Sequence, residues 1–366
     1  MSEADDIPEA DRVAGAPHPR MAERVIGQDA AIHSFTDAAA SGRMHHAWLL
    51  TGPRGTGKAT LAWAMARWLL SDQPGPGLSV PDDDPVARRI RALSEPRLTL
   101  IRRPWDDKAK RLSAQITVEE IRRLLSFFHM SAAEGGHRIA IIDAADEMNT
   151  AAANALLKML EEPPKGAMIL MVAHQPARLL PTIRSRCREL RLSPLGHDDM
   201  GRVLAGLGVE GDHEALTELS GGSAGEALRL IGQDGLAVYQ HITDLFASLP
   251  RMDRGLALKL AEKAAGRAGA DGDPFDLVVT VLDRFLTRAA RAGLMGAPLV
   301  QAAKGEAEVL VRIAPDDRAA RHWAAAQQEL SARARAGRAV NLDPSALVMD
   351  MLTRLAQHGA GDDFPR

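Results

Sequence analysis

A glycine-rich turn, Gly52-Pro53-Arg54-Gly55-Thr56-Gly57-Lys58-Ala59-Thr60, stands between an apolar run, Ala47 to Thr51, and an amphipathic stretch carrying Leu61, Met65, Trp68 and Leu69. Strand, glycine turn and helix in that order make a phosphate-binding loop. The glycines expose backbone N–H groups, the helix N-terminus adds the positive end of its dipole, and the lysine reaches the outer phosphates. Such a loop needs a strand to launch it and a helix to receive it, so it commits the chain to an α/β core. The candidate phosphate contacts are Gly52, Gly55, Gly57, Lys58 and Thr60.

Four further short apolar runs, Leu98 to Ile101, Ile139 to Ile142, Met168 to Val172 and Arg188 to Leu192, alternate with amphipathic stretches as far as Pro194. With Ala47 to Thr51 they predict a five-stranded parallel sheet with flanking helices over 21–194. One helix follows the capping box Thr117 to Glu120 and repeats apolar residues at Ile121, Leu124, Leu125 and Phe128. Another carries Ala153, Leu156, Leu157 and Leu160 on one face and stops at Pro163 and Pro164, which cannot continue a helix. Between Ser71 and Pro85, Pro, Gly and Asp dominate, and the chain is expected to leave the sheet there as a mobile surface loop. Beyond Pro194 the strand-like runs vanish, which predicts a helical lid over 195–235 and an all-helical domain over 236–358. Disorder is expected in the leader, 1–20, and the tail, 359–366.

At 366 residues the chain has room for two or three cores. Its formal net charge of -3 gives no global basic footprint for nucleic acid, although Arg102 and Arg103 offer a local patch. Any DNA contact is therefore expected to be shared with partners. No apolar run is long enough to span a bilayer, and the N-terminus carries Glu3, Asp5, Asp6 and Glu9 in place of a signal sequence. A cytoplasmic protein without membrane contact is expected. The single cysteine, Cys187, excludes an internal disulfide and a Cys-rich zinc site.

The phosphate loop lacks one working part. The residue after the lysine should carry a hydroxyl to ligate magnesium, and here it is Ala59. Thr60 comes one position later, about 100° further round the helix, so its hydroxyl points elsewhere. By contrast Pro181-Thr182-Ile183-Arg184-Ser185-Arg186-Cys187, just before the last strand, keeps its cationic groups. The residues alone admit two readings of Arg184 and Arg186: surface ion pairs, or an arginine offered in trans to a transferring phosphoryl group, for which its planar fork is suited. Cys187 reads as a small packed residue.

These residues resemble the clamp-loader branch of the AAA+ proteins. The likeness rests on Val25-Ile26-Gly27-Gln28, His45-His46-Ala47-Trp48-Leu49-Leu50, the phosphate loop, the stretch Asn154 to Pro164 (Asn-Ala-Leu-Leu-Lys-Met-Leu-Glu-Glu-Pro-Pro), and Ser185-Arg186-Cys187. It covers roughly Arg20 to Leu230 and continues beyond only in helical character. It implies an AAA+ core followed by an all-α lid and an all-α C-terminal collar. In such a core Asp143 would be the aspartate that organises magnesium, followed by a glutamate that polarises water. Here Ala144 follows, and Asp146 and Glu147 come too late to reproduce that geometry. Ala173 stands where a sensor Thr or Asn is expected, with His174 beside it in a surface turn. Gly225 stands where a lid arginine would face the phosphates, with Arg229 one turn further on. Each lost group is worth orders of magnitude in rate, so the likeness implies negligible hydrolysis, with weak ATP or ADP binding left to Lys58.

Within that branch, a lost ATPase set beside a kept Ser185-Arg186-Cys187 resembles the delta-prime type. The resemblance implies a stator in a pentameric ring with motor (gamma/tau) and delta subunits, inside the DNA polymerase III holoenzyme. Arg186 would project into a neighbour's ATP site while the assembly places the beta sliding clamp on primed DNA. No cofactor or metal is required. The four-cysteine zinc module common in relatives is not implied, because 71–84 holds no cysteine. An active motor subunit is the alternative; the loop's shape and Asp143 favour it, and Ala59, Ala144 and Gly225 oppose it.

Overall fold

Short runs that are apolar at nearly every position fold as strands covered on both faces, while an edge run with polar residues, such as Arg188 to Arg191, stays largely exposed. The computed structural model, which describes residues 9–129, 136–269 and 272–360, forms them into one parallel sheet: β1 (Ala47–Thr51), β2 (Leu98–Ile101), β5 (Arg138–Asp143), β6 (Ala167–Val172) and β7 (Arg188–Arg191). The spatial order is β2-β5-β6-β1-β7, with Trp48 of β1 opposite Leu170 of β6 and Arg188 of β7. All five expected strands are present, with ends shifted by one residue in three of them.

Side chains alternate between the two faces. Trp48, Leu50, Ile139, Ile141 and Leu170 join a core with α1 (Asp29–Ala40) and α2 (Lys58–Leu70), centred on Phe35, Leu61, Trp63 and Met65. Leu49, Ala140, Ile142, Ile169 and Met171 join a second core with Ile121 and Leu124 of α4 (Val118–His129) and Leu156 and Leu160 of α5 (Thr150–Glu161). Asn149 caps α5 by accepting from Ala152 N at 2.8 Å. This is the three-layer α/β core that the sequence pattern predicts.

The excursion at 71–85 is tied down, contrary to the expected mobile loop. Ser71 donates to Asp84 at 2.7 Å, Asp84 caps α3 (Pro85–Arg91) through Ala87 N, and Trp68 Nε1 donates to Gly75 O at 2.8 Å. Leu78 is buried in the first core. A short hairpin, β3 (Trp105–Asp106) with β4 (Arg111–Leu112), follows β2 and was not anticipated. Its turn is closed by Asp106, which accepts from Lys108 N and Ala109 N. The expected disordered leader is ordered from Glu9 onward, because its acids find half-buried cationic partners. Residues 1–8 lie outside the described residues, as does the tail from 361, and the last helix runs on to Ala360.

Contacts divide the chain into two units, Met1–Val203 with Ser223–Gly225, and Leu204–Gly222 with Glu226–Arg366. The lid expected at 195–235 is thus not a unit of its own. After the turn helix α6 (Pro181–Arg184), α7 (His197–Gly206) starts in the first unit, where Leu195 and Asp199 press on Gly27 so closely that a Cβ there would stand 2.6 Å from each. α8 (His213–Ser220) and most of α9 (Ala224–Gly232) belong to the second unit.

The second unit continues through α10 (Gly235–Ala247), α11 (Arg254–Ala264), α12 (Pro274–Met295), α13 (Glu306–Ile313), α14 (Asp317–Ala339) and α15 (Pro344–Ala360). Its core stacks Phe246 on Phe285 with centroids 4.5 Å apart and on Trp323 at 5.7 Å. A buried carboxylate, Glu306, accepts from Arg288, Tyr239 and Ala302 N, and Arg288 also reaches Glu218. Buried charge survives only with such partners, and the Glu218–Arg288 pair is what draws α8 to this unit.

Candidate functional site

The phosphate loop leaves β1 at its carboxyl end and enters α2, as the glycine spacing predicts. Gly52 must be glycine: its φ is +137°, and a Cβ there would stand 2.5 Å from Leu192 O. Lys58 is 2% exposed, and its ammonium donates to Gly52 O at 2.8 Å and to Pro53 O. The lysine is therefore committed to the loop's own carbonyls. Burial pulls its pKa down to about 8, against the opposing pull of Asp143 and Asp146. Thr56 donates to Pro53 O at 2.9 Å, while Gln28 bridges Thr56 O and Ser193 O, holding the loop against the strand ends. Thr60 is half-buried on the first turn of α2.

The acids at this end of the sheet are either buried or held by other groups of the chain. Asp143 ends β5 at 5% exposure, and burial together with the neighbouring Asp11 pushes its carboxyl up to about 8. Ala144 after it is buried and carries no proton acceptor. Asp146 accepts from His174 N and Gln175 N, each at 3.0 Å, which makes it a cap for the turn after β6. Glu147 pairs with Arg103 at 2.7 Å and Arg54 at 3.3 Å. Ala173 is fully buried and extends the ladder by donating to Leu50 O.

At the lid position, Gly225 N donates to Gly55 O at 3.2 Å, and Ser223 donates to Arg54 O at 2.9 Å. A Cβ on Gly225 would stand 2.9 Å from Gly55 Cα, so an arginine has no room to face the loop. Arg229 pairs with Glu226 on its own helix. Among the described residues no group of three or more His, Cys, Asp or Glu is arranged to hold a metal. A magnesium–triphosphate would meet here a lysine that donates to the loop's own carbonyls, Ala59 in place of a hydroxyl ligand, and Gly55 covered by 223–225.

The Ser185-Arg186-Cys187 turn lies at the other end of the sheet. β7 runs parallel to β1 and begins at Arg188, opposite Trp48, so Arg186 precedes the amino end of its strand while the phosphate loop follows the carboxyl end of β1. A strand rises about 3.3 Å per residue, which sets the two roughly 10 Å or more apart. Arg186 is half-exposed, donating to Thr182 O at 2.9 Å and pairing with Glu161 at 2.8 Å. Ser185 is exposed and donates to Thr182 O. The Cys187 thiol donates to Ile183 O at 3.0 Å, and burial pushes its pKa up to about 12, leaving a packed, unreactive group.

The sequence reading missed Glu161 as the partner of Arg186, although it lies within the Asn154 to Pro164 signature. It also missed the pairing of Asp11 with Arg102. No local pattern marks a pair separated by ninety-one residues.

A family model described as DNA polymerase III, delta subunit, matches residues 27–196, which span both the loop and the Ser185-Arg186-Cys187 turn. Over residues 27–196, under half of its length, the chain is similar to subunits of DNA polymerase III. The delta' subunit of Pseudomonas aeruginosa is 37% identical over 191 residues, covering 51% of this chain and 56% of that one. The tau subunit of Salmonella typhimurium is 29% identical over 259 residues, covering 67% of this chain and 38% of that one. The chain thus spans about half the length of the curated clamp-loader relatives it matches first, 56% and 41%. A solved gamma-subunit-related protein from Thermotoga maritima aligns over 88% of this chain and 98% of that one, at 17% identity and a TM-score of 0.36. Among the described residues no helix is long and apolar enough to cross a membrane.

Proposed function

We propose that this chain is the ATPase-inactive, delta-prime-type stator of a clamp loader, offering Arg186 in trans to the ATP of a neighbouring motor subunit. The observation that carries the reading is positional. Arg186 is half-exposed at the end of the sheet opposite its own phosphate loop, which supports a role toward another chain and not toward its own loop. An arginine reaching a transferring phosphoryl group stabilises the charge spread over its oxygens. The chain's own site supports the other half of the reading, since Lys58, Asp146 and Glu147 are all held by groups of this chain.

In this reading gamma/tau motor subunits and a delta subunit complete a pentameric ring, with the helical second unit as collar. The assembly sets the beta sliding clamp on primed DNA in the bacterial cytoplasm, and the chain itself requires no nucleotide or metal. The likeness to tau favours one alternative, an active motor subunit. Ala59, Ala144 and the covered face of Gly55 speak against it.

The test is a loader reconstituted with Arg186→Ala, measured for assembly, DNA-stimulated ATP hydrolysis and clamp loading. With assembly intact, hydrolysis at the adjoining site is expected to fall by about 10³-fold, and Arg186→Lys should not restore it. Unchanged hydrolysis and loading would remove Arg186 from the mechanism.

A further inference from the structure

The acids of the leader are bound by cationic and imidazole groups of the first unit. Asp11 has a side chain that is 0% exposed, accepts from Arg102 and pairs with His18 at 2.9 Å. Glu9 bridges Arg20 at 2.9 Å and Arg102 at 3.1 Å. The backbone between them is folded on itself: Arg12 N donates to Glu9 O, Ala16 N to Val13 O, and the Arg12 side chain to Ala16 O at 2.8 Å. His18 is buried edge-on against Trp63 of α2, with centroids 5.7 Å apart.

Asp11 acts on this end of the sheet through its charge, which together with burial raises the carboxyl of Asp143. Val13 puts a methyl carbon 3.5 Å from the place a Cβ on Gly225 would occupy, and Gly225 in turn lies on Gly55 of the loop. The segment therefore backs the 223–225 turn that covers the loop. Burying a second carboxylate costs free energy unless it is compensated. Here Arg102, His18 and Arg20 supply the compensation, and all three lie within the same unit.

We propose that residues 9–16 are an intramolecular ligand of the phosphate-loop cleft, an acidic strap pinned by Arg102 that keeps nucleotide phosphates off the loop. Exclusion of nucleotide then has two layers. The missing magnesium hydroxyl at Ala59 is written in the loop itself, whereas the strap is a separate, removable element. In this reading the strap opposes a phosphate in two ways, through the negative charge its acids add at this end of the sheet and through the 223–225 turn that it backs against Gly55.

The experiment uses the isolated full chain, a variant lacking residues 1–14, and the full-length double substitution Glu9→Ala with Asp11→Ala. Each is titrated with a fluorescent ADP analogue, with and without magnesium, and its fold is checked by circular dichroism and a cooperative melt. Both variants are expected to bind the analogue about tenfold more tightly or better than the parent. A synthetic peptide of residues 1–18 should weaken that binding in the truncated chain, and Lys58→Ala should abolish the gain. A folded truncation whose Kd stays within about twofold of the parent overturns the proposal, as does a gain that survives Lys58→Ala. Should the truncation fail to fold, the double substitution decides by the same criteria. None of these outcomes bears on Arg186, which is read only in the assembled loader.

Discussion

At the carboxyl ends of the strands, charged groups are bound inside the unit: Lys58 by loop carbonyls, Asp146 by two backbone N–H groups, Glu147 by two arginines, and Asp11 by Arg102 and His18. At the amino end of β7 the arrangement is the reverse. Arg186 stands half in solvent, with one carbonyl and the exposed Glu161 as its partners. A buried charge tied to its own fold is costly to strip of its partner and has little left for a substrate. An exposed guanidinium held by a weak surface pair contributes little to the fold and remains free to change partners. The two edges therefore separate what the chain uses to stand from what it has to offer.

That separation breaks most visibly at Gly225. Gly225→Arg returns the side chain that a motor subunit would carry, yet its Cβ meets Gly55 Cα at 2.9 Å. It is expected to cost about 3 kcal/mol in chemical denaturation, as overpacking against backbone does, with no gain in ATP turnover. If Asp146 serves as a cap, Asp146→Ala strands the N–H groups of His174 and Gln175 and should cost about 2 kcal/mol. A negligible loss of stability would reopen a chemical role for that carboxylate.

Asp143 sharpens the comparison through pH. Its folded pKa, about 8, lies above its ordinary 3.8, so the native state keeps a proton that the unfolded chain releases. Its contribution is full below the ordinary value and is lost as pH rises toward about 8. Lys58 shifts the opposite way, from 10.5 to about 8, so its own window lies above that of Asp143. Asp143→Asn should gain stability relative to the parent as pH rises through the lower window, reaching about 1 kcal/mol or more. Parallel denaturation curves at both ends of the window would contradict the buried, protonated acid. Smallest of all, Arg186→Ala should change the stability of the isolated chain by about 0.5 kcal/mol or less. A larger loss would make Arg186 a structural residue.

How far these edges could be read from sequence follows from the range of the interactions. Strands and helix ends were legible because the capping box at Thr117, Pro163 and the short apolar runs act within a few residues. The phosphate loop and the gap at Ala59 were legible for the same reason. The leader was misread because Glu9 and Asp11 look like solvated acids until Arg102, far along the chain, is brought beside them. The lid was misplaced because Arg288 captures Glu218 from α12. The hairpin after β2 has two-residue strands and too few apolar positions to leave a pattern. The tasks of Asp146 and Glu161 depend on what folding sets opposite them.

The most direct trial of the division between a silent cleft and an offered arginine is phosphate release by the purified chain alone, with excess ATP and magnesium. No release above the protein-free background is expected, with or without primed DNA. Turnover that disappears in Lys58→Ala would show a working cleft and contradict the division at its root.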